Sequence, residues 1–302
     1  KMKIRIATRK SPLALFQAEY VANQIKQLDQ KIEVELIPMS SEGDLTDKPL
    51  HQIGGKGLFI KTLESAILNN IADIAVHSLK DVPAKLDKNF KIISVFERAA
   101  ASDILLTKKG TPFKSLSEGS VIGTSSPRRK AQIKILRPDL NTTPVRGNIA
   151  TRIKKLYEGN FDGLIVAKAA MERLNLSLEN SYEFTYHEML PAASQGYIGV
   201  ECIASNNDLI KMIALINSKN DMLLAKAERD FVAQLNGSCL SPIAIYCREE
   251  SGQVLVSAKV LSQNGDKQIS KEIISSYDLI DKDIKDLSNE FISKGADKLI
   301  LS

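Results

Sequence analysis

Residues 71–83, Ile-Ala-Asp-Ile-Ala-Val-His-Ser-Leu-Lys-Asp-Val-Pro, constrain the fold more than any other stretch. Ile71 to Val76 is a short, largely apolar run that follows a helical pattern. It predicts a strand buried on both faces, as in a parallel sheet. His77-Ser78-Leu79-Lys80-Asp81 then falls where the strand ends, and Pro83, which cannot donate to a ladder, helps to end it. Ligands of open α/β sheets bind beyond the carboxyl ends of strands. A carboxylate, Asp81, therefore stands beside a cation, Lys80, at an expected site mouth. The plain alternative is a solvated loop with one ordinary ion pair, and on pattern alone that reading has the edge.

The rest of the chain is long enough, at 302 residues, for two or three domains. A net charge of +5 is too mild to argue for a nucleic-acid binder, which would need an extended basic stripe. Cys202, Cys239 and Cys247 are an odd number without a CxxC pair, so neither a disulfide framework nor a zinc spacing is present. His51, His77 and His187 are scattered, which speaks against a histidine metal site. The start, Lys-Met-Lys-Ile, runs straight into a strand pattern, with no signal peptide or membrane span in view. With free cysteines, this gives the expectation of a cytoplasmic protein.

Two helix starts share a design. Lys3–Ala7 alternates as a strand, and Thr8-Arg9-Lys10-Ser11-Pro12 follows, with Ser11 at an N-cap and Pro12 at the first helical position. Arg9 lies beside free N–H groups that attract anions, although a surface cation in a tight turn explains it equally well. Thr124-Ser125-Ser126-Pro127-Arg128-Arg129 repeats the device. Arginines in a first turn oppose the helix dipole, so two in succession point to an anion that joins them. A solvated basic face, with Lys130 and Lys134, is the alternative. Arg146, in Val-Arg-Gly-Asn, and Arg152 add the same charge near another strand end.

Further strands are expected at 32–37, 90–97, 103–107, 121–123, 162–167 and 197–201, with helices between them. Residues 40–57 form a long connection whose Gly54-Gly55-Lys56-Gly57 lacks the full phosphate-loop spacing, and a flexible lid carrying Lys56 is the expectation. A helix over 222–235 ends at Asn236-Gly237-Ser238-Cys239, with Gly237 suited to a C-cap. Three antiparallel strands follow, 243–247, 253–260 and 268–277, with a hairpin at Asn264-Gly265 and a last helix over 278–294. Two α/β units with two chain crossings resemble a hinged binding protein, which gives no function by itself.

Arginine presents paired donors suited to carboxylates and phosphates. Arg9, Arg128, Arg129, Arg146, Arg152 and Arg173 are more than a single small anion needs, and they suit a ligand with several carboxylates. Asp81 is able to stabilise a cationic intermediate or move a proton. Cys239 reads either as a structural cysteine near a helix end or, on its Gly-Ser turn, as a covalent anchor.

At this point the chain resembles the porphobilinogen deaminase (hydroxymethylbilane synthase) family. The motifs run from end to end: Ala7-Thr8-Arg9-Lys10-Ser11-Pro12-Leu13-Ala14-Leu15, Gly54-Gly55-Lys56-Gly57-Leu58-Phe59, Val76-His77-Ser78-Leu79-Lys80-Asp81-Val82-Pro83, Gly123-Thr124-Ser125-Ser126-Pro127-Arg128-Arg129, Arg146-Gly147-Asn148 and Gly237-Ser238-Cys239. Their order and spacing are specific where no single one is. The resemblance implies an α/β protein of three domains: 1–97 with 197–214, 98–196, and 215–302. The first two would be periplasmic-binding-protein-like and form a cleft. The third would be a small α+β domain with a three-stranded antiparallel sheet.

The resemblance also implies a transferase that joins four porphobilinogen molecules head to tail, releasing ammonia, in tetrapyrrole and haem biosynthesis. The product would be hydroxymethylbilane, grown on a dipyrromethane primer in thioether linkage to Cys239. By resemblance Asp81 is catalytic. Ser11, Lys80, Asp81, Thr124, Ser126, Arg128, Arg129 and Arg146 would hold the cofactor. Arg9, Ser11, Arg146, Arg152, Arg173, Gln195 and Lys56 would hold substrate, and Asp44 matches a lid position. Gln52 stands where some members carry lysine, and Pro127 replaces a commoner leucine. The expected partner is porphobilinogen, with no metal, nucleic acid or membrane, and a monomer suffices. The rival reading is a non-enzymatic two-lobed anion-binding protein, which leaves Asp81 and Cys239 without a role.

Overall fold

The computed structural model describes residues 2–40 and 57–302. The strands in chain order are β1 (Lys3–Arg9), β2 (Glu33–Met39), β3 (Ile74–Ser78), β4 (Phe90–Val95), β5 (Asp103–Thr107), β6 (Val121–Gly123), β7 (Asn141–Thr143), β8 (Gly163–Ala167), β9 (Ser181–Glu183), β10 (Ile198–Ile203), β11 (Ile243–Glu250), β12 (Gln253–Leu261) and β13 (Gln268–Ser275). The helices are α1 (Pro12–Leu28), α2 (Gly57–Leu68), α3 (Pro127–Leu136), α4 (Ile149–Tyr157), α5 (Lys168–Arg173), α6 (Asn207–Ile213), α7 (Lys219–Gln234), α8 (Ile280–Ser293) and α9 (Ala296–Leu299). The chain divides into two compact units, Lys1–Arg98 with Tyr197–Met222, and Ala99–Gly196 with Leu223–Ser302.

The first unit is built on a sheet of order β2-β1-β3-β10-β4. β1 is parallel to β2 and β3, and β10 runs antiparallel to β3 and β4. The purely parallel sheet expected from β3 is thus a mixed one, because the returning segment enters between β3 and β4 in the opposite direction. β3 is nonetheless covered on both faces. Ile74 and Val76 pack with Ile4, Ile6, Val21 and Ile25 under α1, while Ala75 packs with Leu63, Ala66 and Ile67 of α2. β3 begins three residues later than its apolar run predicts. Ile71 is exposed, and Asp73 accepts hydrogen bonds from Arg5 at 2.7 to 3.1 Å, so residues 71–73 turn the chain from helix to strand. Pro38 sits in β2, an edge strand, where its missing donor costs least.

In the second unit the sheet order is β7-β6-β8-β5-β9, again mixed, with β5 antiparallel to its neighbours β8 and β9. β7 and β9 have three residues each, too few for a period of two to declare itself in the sequence. The three-stranded antiparallel sheet β11-β12-β13 belongs to the same unit. Its Asn264-Gly265 hairpin lies where the sequence places it. Gly265 has φ +74°, and a Cβ there would stand 2.6 Å from Ala131 O on α3.

The end of α7 differs from expectation. The left-handed residue is Asn236, at φ +53°, while Gly237 donates its N–H to Val232 O at 2.9 Å. A Cβ on Gly237 would lie 2.4 Å from Ile243 Cδ1, so a larger residue there would make the Ile243 side chain shift. Gly196 combines both demands, with φ +94° and a Cβ position 2.6 Å from Ala99 O. Gly196→Ala is expected to destabilise the second unit by about 3 kcal/mol. Gly119→Ala, at φ +78° in open space, should cost only about 1 kcal/mol. Urea unfolding midpoints of the two variants check the contrast.

Candidate active site

In the first unit the residues singled out from sequence gather around the ends of β1 and β3. Ser11 caps α1, its Oγ accepting from Ala14 N at 3.3 Å, and Pro12 opens the helix. Arg9 ends β1 and stacks its guanidinium 3.8 Å from the Phe59 ring centroid on α2, which holds the cation by a cation–π contact. His77 and Ser78 are still within β3, and Leu79–Asp81 forms a single 3-10 turn. Lys80 and Asp81 are half-buried there, while Leu79 is anchored in the core. Lys56, Asp44 and Gln52 lie outside the described residues.

In the second unit one carboxylate organises the predicted basic site. Asp103, at the start of β5, is fully buried. It accepts from Arg128 Nη1 at 2.8 Å, from Arg129 Nη2 and Nε at 2.7 and 3.2 Å, and from Gln195 Nε2 at 3.0 Å. Arg128 also donates to Leu190 O, Arg129 to Ile165 O, and Gln195 to Ala101 O. Burial opposes the ionisation of Asp103. Attraction to the two guanidinium groups, with their hydrogen bonds, outweighs burial and holds the carboxyl well below the usual range. The sequence leads one to expect an outside anion for the arginine pair; the fold supplies one from β5. Two cations on one anion leave one positive charge over, so the cluster still favours an anionic ligand.

The remaining predicted residues of this unit lie between Thr124 and Cys239 in the chain. Ser126 caps α3 through Arg129 N, and the buried Thr124 accepts from Ser126 N at 3.2 Å. Arg146 and Arg152 are half-buried around the start of α4, where Arg152 Nε donates to Gly147 O at 2.7 Å. Arg173 Nη2 donates to Gly196 O at 2.7 Å, on the loop that carries Gln195. Cys239 is exposed on a turn knitted by two serines: Ser238 N donates to Ser241 Oγ, and Leu240 N to Ser238 Oγ. Cys202 and Cys247 are buried, and burial, with the Glu201 charge, pushes the Cys202 thiol up to about 11. Of the three thiols, Cys239 is the accessible one.

Sequence reasoning missed Asp103, whose partners lie 25, 26 and 92 residues away. It also missed Glu228, a buried carboxylate on α7 that accepts from Ser194 N at 2.6 Å and Cys247 N at 2.7 Å. A signal for Glu228 existed, since it sits among Leu224, Ala225, Ala227, Phe231 and Val232 on the buried face of its helix. Ser194, at φ +63°, is held in a left-handed conformation beside this carboxylate, which fixes the loop in front of Gln195. Among the described residues no group of three or more His, Cys, Asp or Glu is placed to hold a metal ion. No described helix is long and apolar enough to cross a membrane.

Removing Asp103 leaves two buried guanidinium groups facing each other. Asp103→Ala is expected to lower unfolding free energy by about 3–5 kcal/mol, read from denaturant titration; a loss below about 1 kcal/mol would contradict the role given to the carboxylate. Because its folded value is depressed, the stabilisation is present above the unfolded carboxyl value near 4 and is lost as pH falls.

Residues 4–211 match the family model described as porphobilinogen deaminase, dipyromethane cofactor binding domain. Residues 222–290 match the porphobilinogen deaminase C-terminal domain. A porphobilinogen deaminase of Campylobacter hominis is 42% identical, over 99% of this chain and 97% of its own. One of Campylobacter jejuni is 41% identical, over 99% and 98%. Among solved structures, a probable amino-acid ABC transporter extracellular-binding protein of Bacillus subtilis aligns over 72% of this chain and 90% of its own, at 11% identity and a TM-score of 0.47. With both family domains matched and relatives above 40% identity from end to end, the chain belongs to the porphobilinogen deaminase family.

Proposed function

We propose that this chain is a transferase of tetrapyrrole biosynthesis that condenses four porphobilinogen molecules head to tail, with loss of ammonia, to hydroxymethylbilane. The observation that carries the reading is family membership along nearly the whole chain. The residues fit the cofactor that the family model names. Dipyrromethane bears several carboxylates, and the second unit offers a buried arginine pair with one uncompensated positive charge, plus Arg146, Arg152 and Arg173. A thioether requires a reachable thiol, and Cys239 is exposed while Cys202 and Cys247 are buried.

Bound through Cys239, the cofactor supplies the pyrrole terminus on which the product is built. The protein's own groups do the rest. Arg128, Arg129 and Arg146 neutralise cofactor carboxylates, with Ser11, Lys80, Thr124 and Ser126 as further donors. Arg9, Arg152, Arg173, Gln195 and Lys56 serve the acetate and propionate of the incoming porphobilinogen. Gln195 acts through the loop it fixes, since its amide is taken up by Ala101 O and Asp103. Asp81 accepts from a pyrrole N–H and stabilises the positive charge that develops as ammonia leaves. Such preorganised charge is commonly the largest single contribution to a rate. Its place in a tight turn, at the end of a strand buried on both faces, keeps it from moving away from that charge. We assign the protein to the cytoplasm, as a monomer, in three functional domains, 1–97 with 197–214, 98–196 and 215–302. The free cysteines suit a reducing compartment. A purely anion-binding role gives Asp81 and Cys239 nothing to do.

Two variants separate attachment from turnover. Asp81→Ala should retain the covalent primer by intact mass yet lose turnover by about 100-fold or more, and near-normal product formation would remove Asp81 from the mechanism. Cys239→Ser should show the unmodified chain mass; a retained adduct would move the anchor to another thiol.

A further inference from the structure

Three titratable side chains that the reaction does not call upon meet in the first unit. His77 of β3 and Glu201 of β10 are buried, with His77 Nε2 2.7 Å from Glu201 Oε2. They share one face because Gly199 pairs with His77 and Glu201 with Ala75. Helix α2 covers that face through Leu63, Ala66 and Ile67, and it brings the half-buried Glu64 within reach of the Glu201 carboxyl. Glu201 Oε1 is buried and has no hydrogen-bond partner among the described residues.

Two carboxyl groups form a hydrogen bond only while one of them keeps a proton. Burial pushes the Glu64 carboxyl up to about 7, and the charge and hydrogen bond of Glu201 add to the effect. Asp87, ahead of β4, acts in the same direction, and His77 acts against it. From β1, Arg9 approaches the helix at Phe59, and Cys202 of β10 belongs to the opposite core under α1. A proton on Glu64 also gives Glu201 Oε1 the donor it otherwise lacks.

We propose that Glu64 keeps this proton and donates it to Glu201 Oε1, so that Glu64, Glu201 and His77 act as one positioning group for the Leu79–Asp81 turn. The positioning role rests on the reading of Asp81 given above. His77 precedes Asp81 by four residues in the strand that leads into the turn, and Leu79 N donates to Tyr197 O, next to β10, at 3.0 Å. The triplet therefore ties together the strands that carry both ends of that hydrogen bond. Loss of the proton sets two carboxylates side by side at the edge of the core and loosens α2 from the face that supports the turn. Since the folded value of Glu64 lies above its ordinary 4.5, the stabilisation is full below about 4.5 and is lost as pH rises through about 7.

Glu64→Gln keeps the shape and a neutral donor but cannot ionise. Thermal midpoints and kcat of full-length holoenzyme are compared with the variant from pH 5 to pH 9. The variant should gain on the wild type in Tm between pH 5 and pH 7.5. Wild-type kcat should fall about fivefold or more from pH 6.5 to pH 8.5, and this limb should be absent from the variant. Glu201→Gln, measured alongside, should shift the wild-type limb if Glu64→Gln fails to fold. Parallel Tm curves would overturn the shared proton. Diverging Tm curves with an unmoved kcat limb would overturn the positioning role. A wild type without porphobilinogen turnover at any pH would overturn the functional reading and the positioning role with it, while the Tm comparison would still decide the shared proton.

Discussion

Asp103 is the carboxylate on which the second unit depends. It is buried at the start of β5, and it draws Arg128 and Arg129 from the first turn of α3 and Gln195 from the loop before β10 to one point. Without it, two guanidinium groups in a first helical turn would oppose both each other and the helix dipole. With it, the guanidinium planes are set by hydrogen bonds to Asp103, Leu190 O and Ile165 O, and one positive charge remains. For the polycarboxylate ligand proposed above, cations placed before it arrives leave little reorganisation to binding.

The first unit solves a complementary problem. The role proposed for Asp81 needs a carboxylate that stands firm where positive charge develops, and the strand behind it is enclosed between α1 and α2. The enclosure brings His77 and Glu201 inside as well, with Glu64 half-buried on α2, and such groups are tolerated there only in partnership. Glu228 plays a similar part in the second unit, satisfying Ser194 N and Cys247 N from the buried face of α7. In both units, polar groups buried among apolar ones fix the loops or turns from which the proposed site residues project.

Much of this was legible because it is local. The Ser-Pro helix starts at Ser11 and Ser126, the Asn264-Gly265 hairpin and the three C-terminal strands each depend on neighbours within a few residues. Two of the family motifs, at 7–15 and 123–129, contain these Ser-Pro helix starts. Long-range partners were not legible. Nothing near Arg128 names Asp103, and nothing in 197–203 reveals that β10 enters an otherwise parallel set from the opposite direction. β3 was recognised but begun too early, since an apolar run does not distinguish a strand from the turn leading into it. The left-handed position at the end of α7 falls on Asn236, one residue before the Gly237 that the pattern points to.

The central claim is chemical, that the chain converts porphobilinogen into a linear tetrapyrrole. The most direct measurement incubates the purified wild-type protein with porphobilinogen and follows substrate, ammonia and tetrapyrrole together. The account predicts that porphobilinogen disappears with four ammonia molecules released for each hydroxymethylbilane formed. Porphobilinogen left unconsumed by protein whose intact mass carries the primer would contradict it.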